Sequence, residues 1–268
     1  GNFFLNPETG EEVMMNSADF LRCETLLAGA ARAGRKVAMV KEKLRDLLSP
    51  GLFAEVVIGI TFSSGKAAGG CFRNSGQRCT AVKRLLIHEA VLEEFTEAFA
   101  AKVAEYPCGD PANDATRVGT VIDESAAKLL ESRVEKAVAS GARVLAGGNR
   151  DGALLEPTII ADVARDAEMV VQESFGPLAP IMPVKDLDDA IELANGTTFG
   201  LSSGAVTRDM DAAVKRIRTG TVNINAVPDY RIESSPFGGV KDSGIGIKEG
   251  VIETIKYMTN VKTFSLPW

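Results

Sequence analysis

The chain has 268 residues, 45% hydrophobic and 25% charged, an ordinary globular composition with room for one large domain or two small ones. Its net charge is −6 and no lysine–arginine block with interleaved aromatics occurs, which sets nucleic acid aside as a partner. There is no apolar run of membrane-spanning length and no basic-then-apolar leader, so a soluble cytoplasmic protein with no membrane partner is expected.

In chain order, "FSSGKAAGG" (residues 62 to 70) first invites a phosphate-loop reading. Five residues separate Gly59 from Gly65 instead of four, and Lys66 is followed by alanine, so that reading fails. "VKRLLI" (82 to 87) is a β-branched and apolar run that predicts a strand. A helix follows in "EAVLEEFTEAFAAKVAEY", with Leu92, Phe95, Phe99 and Val103 at helical spacing. "DESAAKLLESRVEKAVASG" predicts a helix with an acidic first turn and Gly141 at its end, and "ARVLAGG" a strand. Next come "APIMPV" as strand, "DLDDAIELANG" as helix, "GLSSGAV" as strand, "DMDAAVKRIRTG" as helix and "TVNIN" as strand. Strands alternating with helices of this length predict an α/β fold, a mainly parallel sheet with helices on both faces.

The four cysteines, Cys23, Cys71, Cys79 and Cys108, show no CxxC pair and no secretory framework, which favours reduced thiols. The one histidine, His88, falls where a strand gives way to a helix, so neither a zinc site nor a Cys–His protease is expected, and no metal site is assigned. Cys79 stands out. It sits in "FRNSGQRCTAVKR" (72 to 84), a polar, glycine-containing stretch beside arginines, whereas a free cysteine is usually buried as a small hydrophobe.

From about Gly70 to Trp268 the motifs resemble, in order, the catalytic domain of the NAD(P)-dependent aldehyde dehydrogenases. They are "FRNSGQRCTA", "GDP" with "VGTVI", "GG" ahead of "EPTII", "ESFGPLAPI", "AIELANGTTFGLSSGAVTRD", "GTVNIN" and "SPFGGVKDSGIG". Within the family, "GQRCTAVKR" and the ending from Phe237 look most like the branch that oxidises phosphonoacetaldehyde, with the lactaldehyde and glyceraldehyde-3-phosphate branches nearer competitors than the rest. The resemblance implies an oxidoreductase that takes a small-molecule aldehyde and uses NAD or NADP, with Cys79 as nucleophile. A thiolate adds to the carbonyl, the thiohemiacetal expels hydride to the nicotinamide, and water cleaves the thioester that remains. Gly76 would let backbone pack close beside the cysteine, and the Cys79 N–H would meet the developing oxyanion.

By the same resemblance Glu173 and Phe175 contact the nicotinamide ribose, although Glu173 also reads as an exposed glutamate before a turn. Phe237 matches a position near aldehyde and cofactor, or is a core aromatic pinned by Gly238 and Gly239. Arg78 and Arg231 are candidates to bind a phosphonate by paired hydrogen bonds, or are surface or ion-paired arginines. Cys71 and Cys108 read as packing or surface residues. "NVKTFSL" resembles the family's last oligomerisation strand, which implies a homo-oligomer.

Residues 1 to 68 resemble instead a piece of phosphonoacetate hydrolase, a zinc enzyme of the alkaline-phosphatase superfamily, with no hydrolase site carried over. The expected organisation is therefore a fragment over 1–68 and an aldehyde dehydrogenase catalytic part over 69–268. The family's "PWNFP"-like asparagine, its adenosine-ribose lysine and its "LELGG" glutamate have no counterpart in these residues. The expectation is a chain that adds carbonyls at Cys79 without sustained NADH formation on its own, and the alternative is an inactive remnant that folds and oligomerises. A two-domain enzyme with its own cofactor site in residues 1 to 68 is the remaining reading, disfavoured because no glycine-rich strand–turn–helix fingerprint appears there.

Overall fold

The computed structural model describes residues 3–5, 12–14, 60–207 and 209–267. Cys23, Trp268 and most of the stretch that resembles the hydrolase lie outside the described residues. The chain divides into two compact units, Gly1–Val57 and Ile58–Trp268. In the first, β1 (Phe3–Leu5) pairs antiparallel with β2 (Glu12–Met14).

The second unit opens with helix α1 (Ile60–Phe72). The 68/69 junction expected from the sequence falls inside this helix. A run of Gly and Ser has poor intrinsic helix propensity, and the sequence pattern gave no helix here. Packing overrides it. Ala68, Cys71 and Phe72 are buried, and Phe72 stacks on Phe99 with ring centroids 6.2 Å apart. Phe99 in turn stacks on Phe95 at 5.6 Å, so the expected apolar stripe of α2 (Leu92–Val103) faces α1. The glycines permit this approach: a Cβ on Gly69 would lie 3.2 Å from the Tyr106 hydroxyl.

The main sheet has the order β3-β8-β7-β4, built from β3 (Leu85–His88), β8 (Leu178–Val184), β7 (Thr158–Ala161) and β4 (Arg143–Ala146), with the short antiparallel pair β5 (Arg150–Asp151) and β6 (Leu154–Leu155) between β4 and β7 in the chain. β3 and β7 run parallel to β8 on its two sides (Leu85 opposite Ile181, Thr158 opposite Leu178), and β4 is an antiparallel edge. β8 is buried along nearly its whole length, as the central strand of a covered parallel sheet should be. Helix α3 (Glu124–Ala139), capped by the Asp123 carboxylate on the Ala126 N–H at 2.8 Å, packs Leu130, Val134 and Ala137 into the core with Ile160, Leu178 and Met182. The fold is thus α/β with a mainly parallel sheet.

Two short tiers complete the unit. Ser202–Ala205 runs parallel to Thr221–Ile224, and Phe237–Lys241 lies between Phe199–Gly200 and Gly246–Glu249. The final helix, Val251–Met258, buries none of its residues.

Phe99→Ala should destabilise the unit by about 3–5 kcal/mol, because a fully buried ring is lost from a stacked column that cannot collapse. Urea unfolding of the two proteins, compared at equal slope, measures the difference.

Candidate active site

Because β3 and β8 are parallel neighbours, the segments that feed them, 72–84 and 172–177, arrive at the same end of the sheet. After Phe72 the chain makes a tight turn over Arg73–Gly76 in which Asn74 (φ 53°, ψ 35°), Ser75 (φ 55°, ψ 33°) and Gly76 (φ +70°) are all left-handed. Left-handed backbone costs an L-residue about 1–2 kcal/mol, so the turn must be held from outside. Buried Ser75 donates its hydroxyl to the Gly119 carbonyl at 2.9 Å, and the Gln77 amide reaches the Thr120 carbonyl at 3.3 Å. Gly76 makes the closest approach: a Cβ there would sit 2.2 Å from the Gly176 carbonyl oxygen. The sequence expectation placed Gly76 beside the cysteine. Its tight contact is instead with the second loop and with the Cys71 carbonyl. Cys79 emerges from this turn exposed, and among the described residues its N–H has no backbone acceptor.

The second loop carries Glu173 and Phe175 and is anchored by α3. Buried Arg133 donates to the Glu173 carbonyl at 2.7 Å and pairs with Glu168 at 3.0 Å. Hydrogen bonds from Lys136 and from Arg133 hold the Glu168 carboxyl below its ordinary range. Gly176 rests on α3 so closely that a Cβ would lie 2.2 Å from Leu130 Cδ1. Phe175, just before it, is left-handed (φ 49°) and 43% exposed. The Glu173 side chain is exposed as well.

Lys83, which the sequence did not single out, joins the two loops. Its ammonium donates to the Gly76 carbonyl at 2.9 Å and stands 4.9 Å from the centroid of the Phe175 ring. Burial pushes Lys83 down to about 8, while Glu173, Cys71 and Cys79 favour its charged form and Arg78 opposes it. The structure therefore brings Cys79, Glu173 and Phe175 around one half-buried lysine.

Both candidate arginines are ion-paired. Arg78 pairs with Asp229 at 3.0 Å and donates to the Gly70 and Gly69 carbonyls at 3.2 and 3.4 Å, while its buried Nε–H has no acceptor among the described residues. Asp229 and Arg231 line an open cleft of about 640 Å³ with Lys66, Arg73, Tyr106 and Tyr230. Arg231 pairs with Glu249 at 2.9 Å and lies 4.4 Å above the Phe237 ring. Phe237 itself is 3% exposed. No signal in the sequence announced Asp229 as the partner of Arg78, since 151 positions separate them.

The model of the aldehyde dehydrogenase family matches residues 63–264, and the chain belongs to that family. It is 39% identical to a sulfoacetaldehyde dehydrogenase of Neptuniibacter caesariensis over 72% of this chain and 42% of the relative. To a lactaldehyde dehydrogenase of Methanococcus maripaludis it is 35% identical over 76% of this chain and 44% of the relative. Among solved structures, aldehyde dehydrogenase 21 of Physcomitrella patens, in complex with succinate, superposes with a TM-score of 0.72 at 38% identity, covering 76% of this chain and 43% of that one. The glyceraldehyde-3-phosphate dehydrogenase of Methanocaldococcus jannaschii, complexed with NADP, gives the same score at 35% identity, over 76% and 45%. The chain spans less than half the length of the curated relatives it matches.

Thiol chemistry should follow exposure. Burial pushes the Cys71 thiol far up, and burial together with Glu156 raises that of Cys108, whose Sγ lies 3.6 Å from the Leu155 carbonyl. Brief iodoacetamide treatment at neutral pH should label Cys79 at least tenfold ahead of Cys71 and Cys108. Peptide mapping reads the order, and Gly76→Ala, which wedges the loops apart, should blunt it.

Proposed function

We propose that this chain carries the nucleophile-bearing part of an NAD(P)-dependent aldehyde dehydrogenase acting on an aldehyde with an anionic group, phosphonoacetaldehyde being our candidate. The observation that carries the reading is Cys79, the exposed thiol among the described cysteines, held on a left-handed turn locked to the loop of Glu173 and Phe175. Its unpaired thiols suit a reducing, cytoplasmic setting.

Cys79 Sγ attacks the aldehyde carbon, forming a C–S bond while the carbonyl oxygen takes up negative charge, and the Cys79 N–H is placed to receive that charge. NAD(P), when bound, supplies the hydride acceptor that turns the adduct into a thioester. Glu173 and Phe175 fit that group: an exposed carboxylate can accept from ribose hydroxyls, and an exposed ring held in a fixed posture offers an apolar face. Water then breaks the C–S bond, releasing the carboxylic acid and the thiol.

The cleft supports the anionic substrate. Lys66, Arg73 and Arg231 line it with Asp229, which Arg78 already neutralises, while Arg231 is paired with Glu249. A phosphonate or sulfonate answers that charge; the relative named for sulfoacetaldehyde carries the same kind of group. We read the partner as a second copy of the chain. Ile252, Ile255, Met258, Val261, Phe264 and Leu266 are exposed along the terminal helix and segment that resembles the oligomerisation strand. That same apolar surface favours the second reading, an inactive remnant that folds and associates.

p-Nitrophenyl acetate should give a burst of about one equivalent of p-nitrophenolate, abolished in Cys79→Ala. A burst that survives the substitution would sink the nucleophile assignment, whereas no burst from the wild-type chain would favour the remnant. Phosphonoacetaldehyde should protect Cys79 from iodoacetamide better than acetaldehyde does, and Arg231→Met should erase most of that preference. Equal protection by the two aldehydes would remove the anionic-substrate reading and leave Cys79 untouched.

A further inference from the structure

Lys83 lies four residues after Cys79, yet no helix places it there. It reaches back across the turn to the Gly76 carbonyl at 2.9 Å and presents its charge to the Phe175 ring at 4.9 Å. A hydrogen bond and a cation–π contact thereby fix the cysteine loop and the Glu173–Phe175 loop to one atom. Phe175 needs such a hold, because its left-handed backbone and exposed ring have little else to define them. Arg78 cannot serve in its place, since its guanidinium is turned to Asp229 and the end of α1.

We propose that Lys83 is a positioning residue for the reaction assigned to Cys79, whose ammonium fixes the relative placement of the cysteine loop and the Glu173–Phe175 loop. This rests on the reading of Cys79 as the nucleophile. The charged and titratable groups around Lys83 are Glu173 on the second loop, Cys71 on α1, and Arg78 and Cys79 on the cysteine loop. Three of the four favour the ammonium, and Cys71 is too buried to ionise near neutrality. Glu173 on the second loop is therefore the partner that matters. As pH rises through about 8 the ammonium loses its proton, and the cation–π contact that ties Phe175 to the cysteine loop disappears with it.

The test measures the rate of Cys79 alkylation by iodoacetamide from pH 6 to 10, in wild type, Lys83→Met, Lys83→Arg and Phe175→Ala. Methionine keeps length and packing without charge, and should slow alkylation at pH 7 by roughly 3- to 10-fold, because the loop that presents the thiol loses its tie. Arginine, which also stacks on aromatic faces, should stay within about twofold of wild type, and Phe175→Ala should fall between. Superimposable profiles for Lys83→Met and wild type would overturn the proposal, and so would an arginine variant as slow as methionine. Neither result touches the nucleophile assignment, which the Cys79→Ala burst decides separately. Should Lys83→Met fail to fold, Lys83 itself still answers. Lys83 followed by NMR after ¹³C-dimethylation must titrate at lower pH in Glu173→Gln, because the carboxylate of the second loop favours its charged form. An unmoved midpoint would refute the link.

Discussion

The contact on which the site depends is backbone against backbone: Gly76 against the carbonyl of Gly176, at a separation no side chain would allow. Sheet register makes it possible, by setting β3 beside β8 so that the loops before them share one end. The left-handed turn makes it necessary, since only that reversal turns Gly76 inward and Cys79 outward. Strain of this kind persists where the surroundings over-determine it. Here Ser75, Gln77, Lys83 and the Val82 N–H, which donates to Gly70 at 3.1 Å, each bind the turn from a different direction.

Cations in this unit bind carbonyl oxygens as much as carboxylates. Arg133 holds the Glu173 carbonyl, Lys83 that of Gly76, and Arg84 those of Leu193 and Ala194 at 2.8 and 3.0 Å. Lys241 adds the Asn195 and Thr197 carbonyls at 3.1 Å, so two cations meet the C-terminal end of the helix Leu187–Asn195, where the last carbonyls lack partners and the helix dipole is negative. A carbonyl satisfies a cation's donors without cancelling its charge. Lys83 therefore remains a net positive group inside the site, whereas Arg78, paired with Asp229, is nearly spent as one.

Much of this was legible in local sequence. Asp123, Asp186 and Asp209 cap their helices as an acidic residue before an apolar periodic run should, and Gly141 closes its helix with φ +105°. The strands and helices read from 82 to 225 recur within a few residues, because for them local pattern and tertiary burial agree. Helix α1 was not legible: its glycines and serines argue against helix, and only the aromatic column of α2 reveals why small residues belong there. Lys83 was equally hidden. Its meaning comes from Phe175 and Glu173, some ninety positions away, and no periodicity links them. Cys79, Glu173 and Phe175 became candidates through motif resemblance, and Arg78 acquires its neutralising partner only in three dimensions.

Reactive cysteines gain from helix N-termini, where the dipole favours an anion. Cys79 has the opposite placement, because it follows the C-terminal end of α1, and the free carbonyls there oppose negative charge on sulfur. The cations around it answer this directly. Arg78 binds the Gly69 and Gly70 carbonyls, and Lys83 binds that of Gly76, so three carbonyls upstream of the thiol are turned toward positive groups. The same disposition explains why the site sits at the amino ends of β3 and β8, although ligands of open α/β sheets generally gather at the carboxyl ends. At this end of the sheet side chains bring positive potential. A lysine shared by two loops does so while also setting where they stand.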